Sequence, residues 1–282
     1  MAHLTNRRNF LKSTGAAAGA AASILSGKAL MPTHAAAAAK PKFEIGMASY
    51  TFRKFPLEDC IAMTKRLGIK NIAFKSFHMA MDSTPQQIRA IAQQTRDAGL
   101  NLYSCGVVYM KTEAEVHQAF DYAKEAGMKI IIGVPEHQYL DIVEQKVKDY
   151  DISVAIHNHG PGDTRYSRVK DAYDRIQGRD KRLGLCVDIG HVERLGNNVV
   201  DVLKKYSDRM LDFHFKDVTA STKEGKSTEC GHGVIDLPAV MKALVDINYS
   251  GSALLEYEAS ADDPLPGAAE SIGYLRGILA GM

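Results

Sequence analysis

From Lys42 onward, short apolar runs alternate with longer amphipathic stretches eight times without interruption, and this alternation constrains the fold more than any other feature of the chain. The runs are "FEIGMASY", "NIAFKSF", "LNLYSCGVVY", "KIIIGVP", "ISVAIHNH", "LGLCVDIGH", "MLDFHFKD" and "SALLEYE". Helical spacing of apolar residues covers 57–67, 85–98, 113–126, 139–149, 166–176, 199–206, 237–247 and 268–279. Strand and helix in strict alternation imply parallel strands joined by crossover helices. Eight such units in about 240 residues is the count and size of an α/β (β/α)8 TIM barrel, here a single domain over 42–282. A doubly wound open sheet would carry a Gly-rich phosphate turn after its first strand, and "ASYTFRKFP" has none.

The first 39 residues stand apart. "TNRRNFLK" is followed by the weakly apolar "STGAAAGAAASILSG" and a small-residue region near "THAAAAAKP". A basic start, a modest apolar stretch and small residues describe an export signal, and the paired Arg7 and Arg8 give it the form of a twin-arginine signal peptide over 1–39. The expected location is the periplasm. Its apolar stretch is too short and too rich in Ala and Gly to span hydrocarbon stably, so no stable membrane insertion is expected after cleavage. Without these residues Lys+Arg falls from 35 to 31 against 33 Asp+Glu. A slightly acidic domain argues against a nucleic-acid partner. The four cysteines form no CxxC pair, which excludes a zinc knuckle and a dense disulfide framework.

In a barrel of this kind the chemistry sits where strands end at the C-terminal face. Four successive strand ends carry His157, Asp188, His214 and Glu256. Side chains alternate along a strand, so Asp188 shares a face with Cys186 and Gly184, and His157 with Ala155 and Ser153. These four residues therefore point inward above small ones. Two imidazoles and two carboxylates suit one divalent cation such as Mn²⁺, Zn²⁺, Co²⁺ or Fe²⁺ better than Ca²⁺.

The order and wording of the segments resemble the xylose-isomerase-like TIM barrel superfamily, the sugar phosphate isomerase/epimerase family. "CVDIGH", "FHFKD", "GHGVID" and "LLEYE" carry the resemblance most specifically, over about residues 43–280. It implies one metal held from strands five to eight, by position His157, Asp188, His214 and Glu256, and a substrate-contacting histidine at His191. Family epimerases place glutamates on strands five and eight as two bases on opposite faces of the substrate. Here the first is His157. An imidazole bound to a metal has its lone pair occupied, so symmetrical two-base epimerisation requires His159 or Glu136 in the missing role. A one-base mechanism fits better: proton abstraction α to a carbonyl by Glu256 or a neighbour, with a histidine donating to the departing or migrating oxygen. Isomerisation and β-elimination share that step, so the expected activity is a sugar isomerase or epimerase, with a lyase or hydratase on keto-sugars, 3-keto-glycosides or keto-inositols as the alternative.

Other polar residues fill in the site. Lys216 lies on the face of His214, where its ammonium would hold a substrate hydroxyl or stabilise an enolate, or else form a surface ion pair. Lys75 and His78 end strand two and are placed to line the opposite wall. Glu136 either contacts substrate or satisfies a helix N-terminus. His232 sits on a Gly-flanked loop near the substrate, and Asp236 reads as an N-cap. Aromatic residues make up 7% and Trp is absent, so stacking platforms for long polysaccharides are scarce and the expected partner is a mono- or disaccharide-sized sugar. A homo-oligomer is left open. Two competing readings remain: an endonuclease-IV-like phosphodiesterase using His191 and His232 as further ligands, opposed by the acidic domain and the export signal, and a sugar-binding barrel without chemistry.

Overall fold

The computed structural model describes residues 41–282, so the expected signal segment 1–39 lies outside the described residues. Eight parallel strands close into a barrel: Glu44–Ala48, Asn71–Phe74, Asn101–Met110, Ile130–Pro135, Ser153–His157, Leu183–Asp188, Met210–Phe215 and Ser252–Leu255. The first pairs with the eighth, Glu44 against Ser252, which closes the ring. Helices fall between the strands as the periodicity requires, with one further short helix, Ile189–Glu193, directly after strand six.

Two separate cores follow from the period of two. Residues facing outward pack against the helices, with Phe213, Val187, Leu185, Ile156 and Val154 all buried there. Residues facing the barrel axis form a smaller cluster of Ala48, Ala73, Ile132, Ala155, Cys186 and Leu254. Most of that inner set is small, which leaves room above it at the C-terminal mouth. Among the described residues no helix is long and apolar enough to cross a membrane.

Local chemistry sets the loops at this mouth. The helix expected over 166–176 starts only at Val169. Residues 158–168 instead fold back, with His159 N–H donating to Tyr166 O and Gly160 N–H to Ser167 O. The buried Tyr166 hydroxyl fixes that loop by donating to Pro135 O at 2.8 Å. Asn158 braces strands five and six, accepting from Asp188 N–H at 3.0 Å and donating to Asp188 O at 3.1 Å. Asp236 does cap the helix Leu237–Asp246, accepting from Ala239 N–H at 3.0 Å.

The loop "CGHGVID" is built around a single buried carboxylate. Asp217 Oδ2 accepts from Gly231 and Gly233 N–H at 2.9 and 3.1 Å, and Oδ1 from Val218 and Ile235 N–H at 2.9 and 3.3 Å. A Cβ on Gly233 would lie 2.1 Å from Oδ1, so only glycine admits this wrap. Hydrogen bonds to a charged acceptor are the stronger kind, and leaving buried N–H groups unpaired adds their desolvation. Asp217→Ala is expected to lower the unfolding free energy by about 3 kcal/mol in urea titrations, and an unchanged midpoint would contradict this role.

Candidate functional site

Asp188 organises the mouth through two different oxygens. It ends strand six and N-caps the helix Ile189–Glu193, Oδ1 accepting from His191 N–H at 3.0 Å. That leaves Oδ2 facing the barrel axis, 3.7 Å from His157 Nε2, 3.9 Å from His191 Nε2 and 4.0 Å from His214 Nδ1. The cap also explains His191: the helical turn it starts carries the imidazole three residues on back over the mouth.

Glu256 follows strand eight, and its Oε2 lies 3.6 Å from His214 Nδ1. One donor atom from each of His157, Asp188, His214 and Glu256 lies within 4.8 Å of the others, and all four residues are buried. His157 Nε2 and His214 Nδ1, the ring nitrogens that face Asp188 Oδ2, are enclosed without a hydrogen-bond partner. Buried polar atoms are almost always paired, and a group of them aimed at one point is what an ion site presents. The donor set therefore fits a cation that accepts imidazole and carboxylate together. His157, Cys186 and His214 form a second close trio. Burial pushes the Cys186 thiol up, and it donates to Asp212 Oδ1 at 3.2 Å, which leaves His157, Asp188, His214 and Glu256 as the better set.

Lys216 completes the charge balance. Its Nζ lies 3.0 Å from Asp188 Oδ2 and 2.7 Å from Glu256 Oε2, and it also contacts Glu258. Burial works against its charge, yet Asp188, Glu256 and Glu258 outweigh burial and push the ammonium well above its ordinary value. In return, burial works against ionising Asp188 and Glu256, and Lys216 holds both well below the usual carboxylate range. Three of the imidazoles go the other way. Burial pushes His157 down, and His159 and His191 down to about 3, so their lone pairs are available at neutral pH.

His159 lies 4.6 Å from His157 between ring centroids and stacks on Tyr109, whose hydroxyl lies 3.2 Å from His159 Nε2. Lys75 reaches the same wall: Nζ donates to Val107 O at 2.5 Å and sits 5.9 Å from the Tyr109 ring. Glu136 does not cap a helix but accepts from Arg165 Nε at 2.5 Å. Two candidates lie outside this cluster. His78 is buried against Phe74 and Phe77 with Nε2 on Phe55 O at 3.1 Å, and the exposed His232 pairs with Glu270 at 2.8 Å. Sequence reasoning passed over Glu258, Tyr109 and Asp212. Asp212 sits two residues from the strand-end candidate His214, on its face, which was the available signal.

The neutral imidazoles carry a pH signature. His159 and His191, near 3 in the fold, titrate at about 6.5 in an unfolded chain. The unfolded state then binds protons that the fold refuses, so their stabilisation is complete above about pH 6.5 and is lost as pH falls. His157 has the same sign. Two groups oppose them: Cys186 and Glu256 overcome burial and hold His214 above its ordinary value, and burial pushes the Asp212 carboxyl up to about 7, so the fold takes up a proton there as pH falls. In chelator-treated protein the unfolding free energy is expected to drop by about 2 kcal/mol from about pH 7 to about pH 5, and a flat profile would contradict the buried neutral histidines.

Comparison with known proteins places this geometry. The family model described as xylose isomerase-like TIM barrel matches residues 56–278. Among curated proteins, an inosose dehydratase of Clostridium perfringens is 26% identical over 171 residues, covering 55% of this chain and 49% of the relative. An inosose dehydratase of Lactiplantibacillus plantarum is 30% identical over 127 residues, covering 39% and 41%. The chain thus spans about half the length of the curated relatives it matches. Among solved structures, an L-ribulose 3-epimerase superposes with TM-score 0.69 at 16% identity, covering 85% of this chain and 95% of that one. The 3-keto-D-glucoside 4-epimerase of E. coli gives 0.67 at 18%, covering 84% and 100%. These two likenesses show the barrel fold alone. With the family model matched over most of the barrel, the chain belongs to the xylose isomerase-like TIM barrel family.

Proposed function

We propose that the chain is a divalent-metal-dependent sugar isomerase that removes the proton α to the carbonyl of a mono- or disaccharide-sized keto-sugar. The observation that carries this reading is the convergence of His157, Asp188, His214 and Glu256 from neighbouring strand ends on one enclosed point. Mn²⁺, Zn²⁺, Co²⁺ or Fe²⁺ held there would polarise the carbonyl and make the adjacent C–H more acidic. Glu256 takes the proton: Lys216 keeps its carboxylate ionised, which is the form a base requires. The Lys216 ammonium also faces the negative charge that develops on the enediolate oxygen. His191, neutral and carried over the mouth by the Asp188 cap, donates or accepts a hydrogen bond at a substrate hydroxyl. His159, held by Tyr109, does the same from strand five, and the partly exposed Tyr109 ring offers a face to the sugar. Lys75 and the Glu136–Arg165 pair border that side.

One observation favours a second reading, β-elimination from the same enediolate. Epimerisation with two bases needs a second base facing Glu256, and near strand five stand the proposed ligand His157 and His159, a weak base once burial pushes it down to about 3, while Glu136 is engaged with Arg165. The matched curated relatives are named as dehydratases, which points the same way. The Arg7–Arg8 segment supports export of the folded enzyme to the periplasm, where free sugars and glycosides are the substrates at hand.

The test is to supply the protein with each of these cations in D₂O and offer keto-sugars, 3-keto-glycosides and keto-inositols. Isomerisation gives a product of unchanged formula carrying solvent deuterium. Elimination gives a conjugated enone lighter by water or an alcohol. Glu256→Ala should cut turnover at least about 100-fold. Metal-loaded protein that neither converts these compounds nor exchanges their α protons would contradict the proposal.

A further inference from the structure

Strand seven places a third buried acid inside the barrel, one alternation below His214. Asp212 is fully buried on the face shared with His214. Its partner across the sheet is Cys186, one of the mostly small residues that face the barrel axis. Among the described residues no lysine or arginine forms an ion pair with it. Cys186 Sγ donates to Oδ1 at 3.2 Å, His214 Nε2 lies 3.5 Å from the same oxygen, and Oδ2 has no partner. A carboxylate enclosed this poorly weakens the fold, since burial of an incompletely paired charge is unfavourable. Its position needs another explanation, and the neighbour it faces supplies one.

His214 has two ring nitrogens with opposite duties. Nδ1 faces Glu256 Oε2 at 3.6 Å and Asp188 Oδ2 at 4.0 Å, while Nε2 faces Asp212. A cation accepts only the nitrogen that carries no proton, and which nitrogen that is depends on the hydrogen bond made by the other. The 3.5 Å separation is at the outer limit of hydrogen bonding, so the contact orients the ring more than it binds it.

We infer that Asp212 is a positioning residue for the candidate cation site: it accepts Nε2–H of His214 from below, fixing the tautomer and ring plane so that the Nδ1 lone pair is presented to the centre. This rests on the reading that His157, Asp188, His214 and Glu256 hold a divalent cation. It assigns a purpose to a buried acid that the proposed chemistry does not use, and it makes the inner floor of the barrel part of the site.

The test measures Zn²⁺ and Co²⁺ affinity of the full chain by competition with a chromophoric chelator, together with the melting temperature of the metal-stripped protein. Asp212→Asn and Asp212→Leu are expected to weaken cation binding about 10- to 100-fold while melting at or above the wild-type temperature, because a poorly paired buried carboxylate has been removed. In a His214→Ala background, Asp212→Asn should cause no further loss of affinity. Variants that melt lower yet bind the cations as tightly as the wild type would overturn the inference and make Asp212 a fold residue. Should the wild-type chain bind neither cation, the cation-site reading falls and the inference falls with it. Should the Asp212 variants bind as tightly as the wild type while His214→Ala binds weakly, only the role of Asp212 falls.

Discussion

Two carboxylates and two imidazoles enclosed at one end of a closed barrel set the terms for everything around them. Asp188 and Glu256 are almost without water, and a buried carboxylate is tolerated only when opposite charge and hydrogen-bond donors replace its hydration. Lys216 supplies one positive charge to both acids at once, at 3.0 and 2.7 Å. That single ammonium, shared also with Glu258, leaves the cluster with more acid than base. His157 Nε2 and His214 Nδ1 have no hydrogen-bond partner in the protein, which leaves them to ligate something the cluster binds.

The barrel makes such a cluster affordable through its own construction. Neighbouring parallel strands end at nearly the same level, so four consecutive strand ends are adjacent by topology alone. Small residues beneath them, Ala155 and Cys186 above all, keep the floor from filling the space. Surrounding loops are then fixed by individual polar contacts: Asn158 between strands five and six, Asp188 as a helix cap, Asp217 inside a ring of four N–H groups. Each contact satisfies a local backbone demand and in doing so sets the direction of a side chain at the mouth. His191 shows this most directly, because the cap that pairs its N–H also brings its ring to 3.9 Å from Asp188 Oδ2.

Much of this was legible from the chain alone. Alternation of apolar runs with amphipathic stretches gives the barrel, and the period of two decides which strand-end residues face its axis. What was not legible depended on direction outside the strands. His78 and His232 lie on loops, and nothing in their neighbours tells that one turns to Phe55 O and the other to Glu270 on the final helix. Asp217 follows Lys216 directly, but its function as the anchor of the 231–235 backbone exists only once residues 14 to 18 positions apart are brought together. Asp212 was within reach of the alternation argument that reads back along strands five and six, since it lies two residues before His214 on strand seven. Tyr109 is the penultimate residue of the ten-residue strand three, whose pairing shifts register against both neighbours, so its level at the mouth follows from the sheet and not from counting.

The most direct measurement is the metal content of the protein purified without added ions, by elemental analysis, beside the His157→Ala and Glu256→Ala variants. The account predicts about one Mn, Zn, Co or Fe per chain in the wild type and loss of it in both variants. A wild-type chain without metal, or metal retained in both variants, would contradict the cation site on which the proposed chemistry depends.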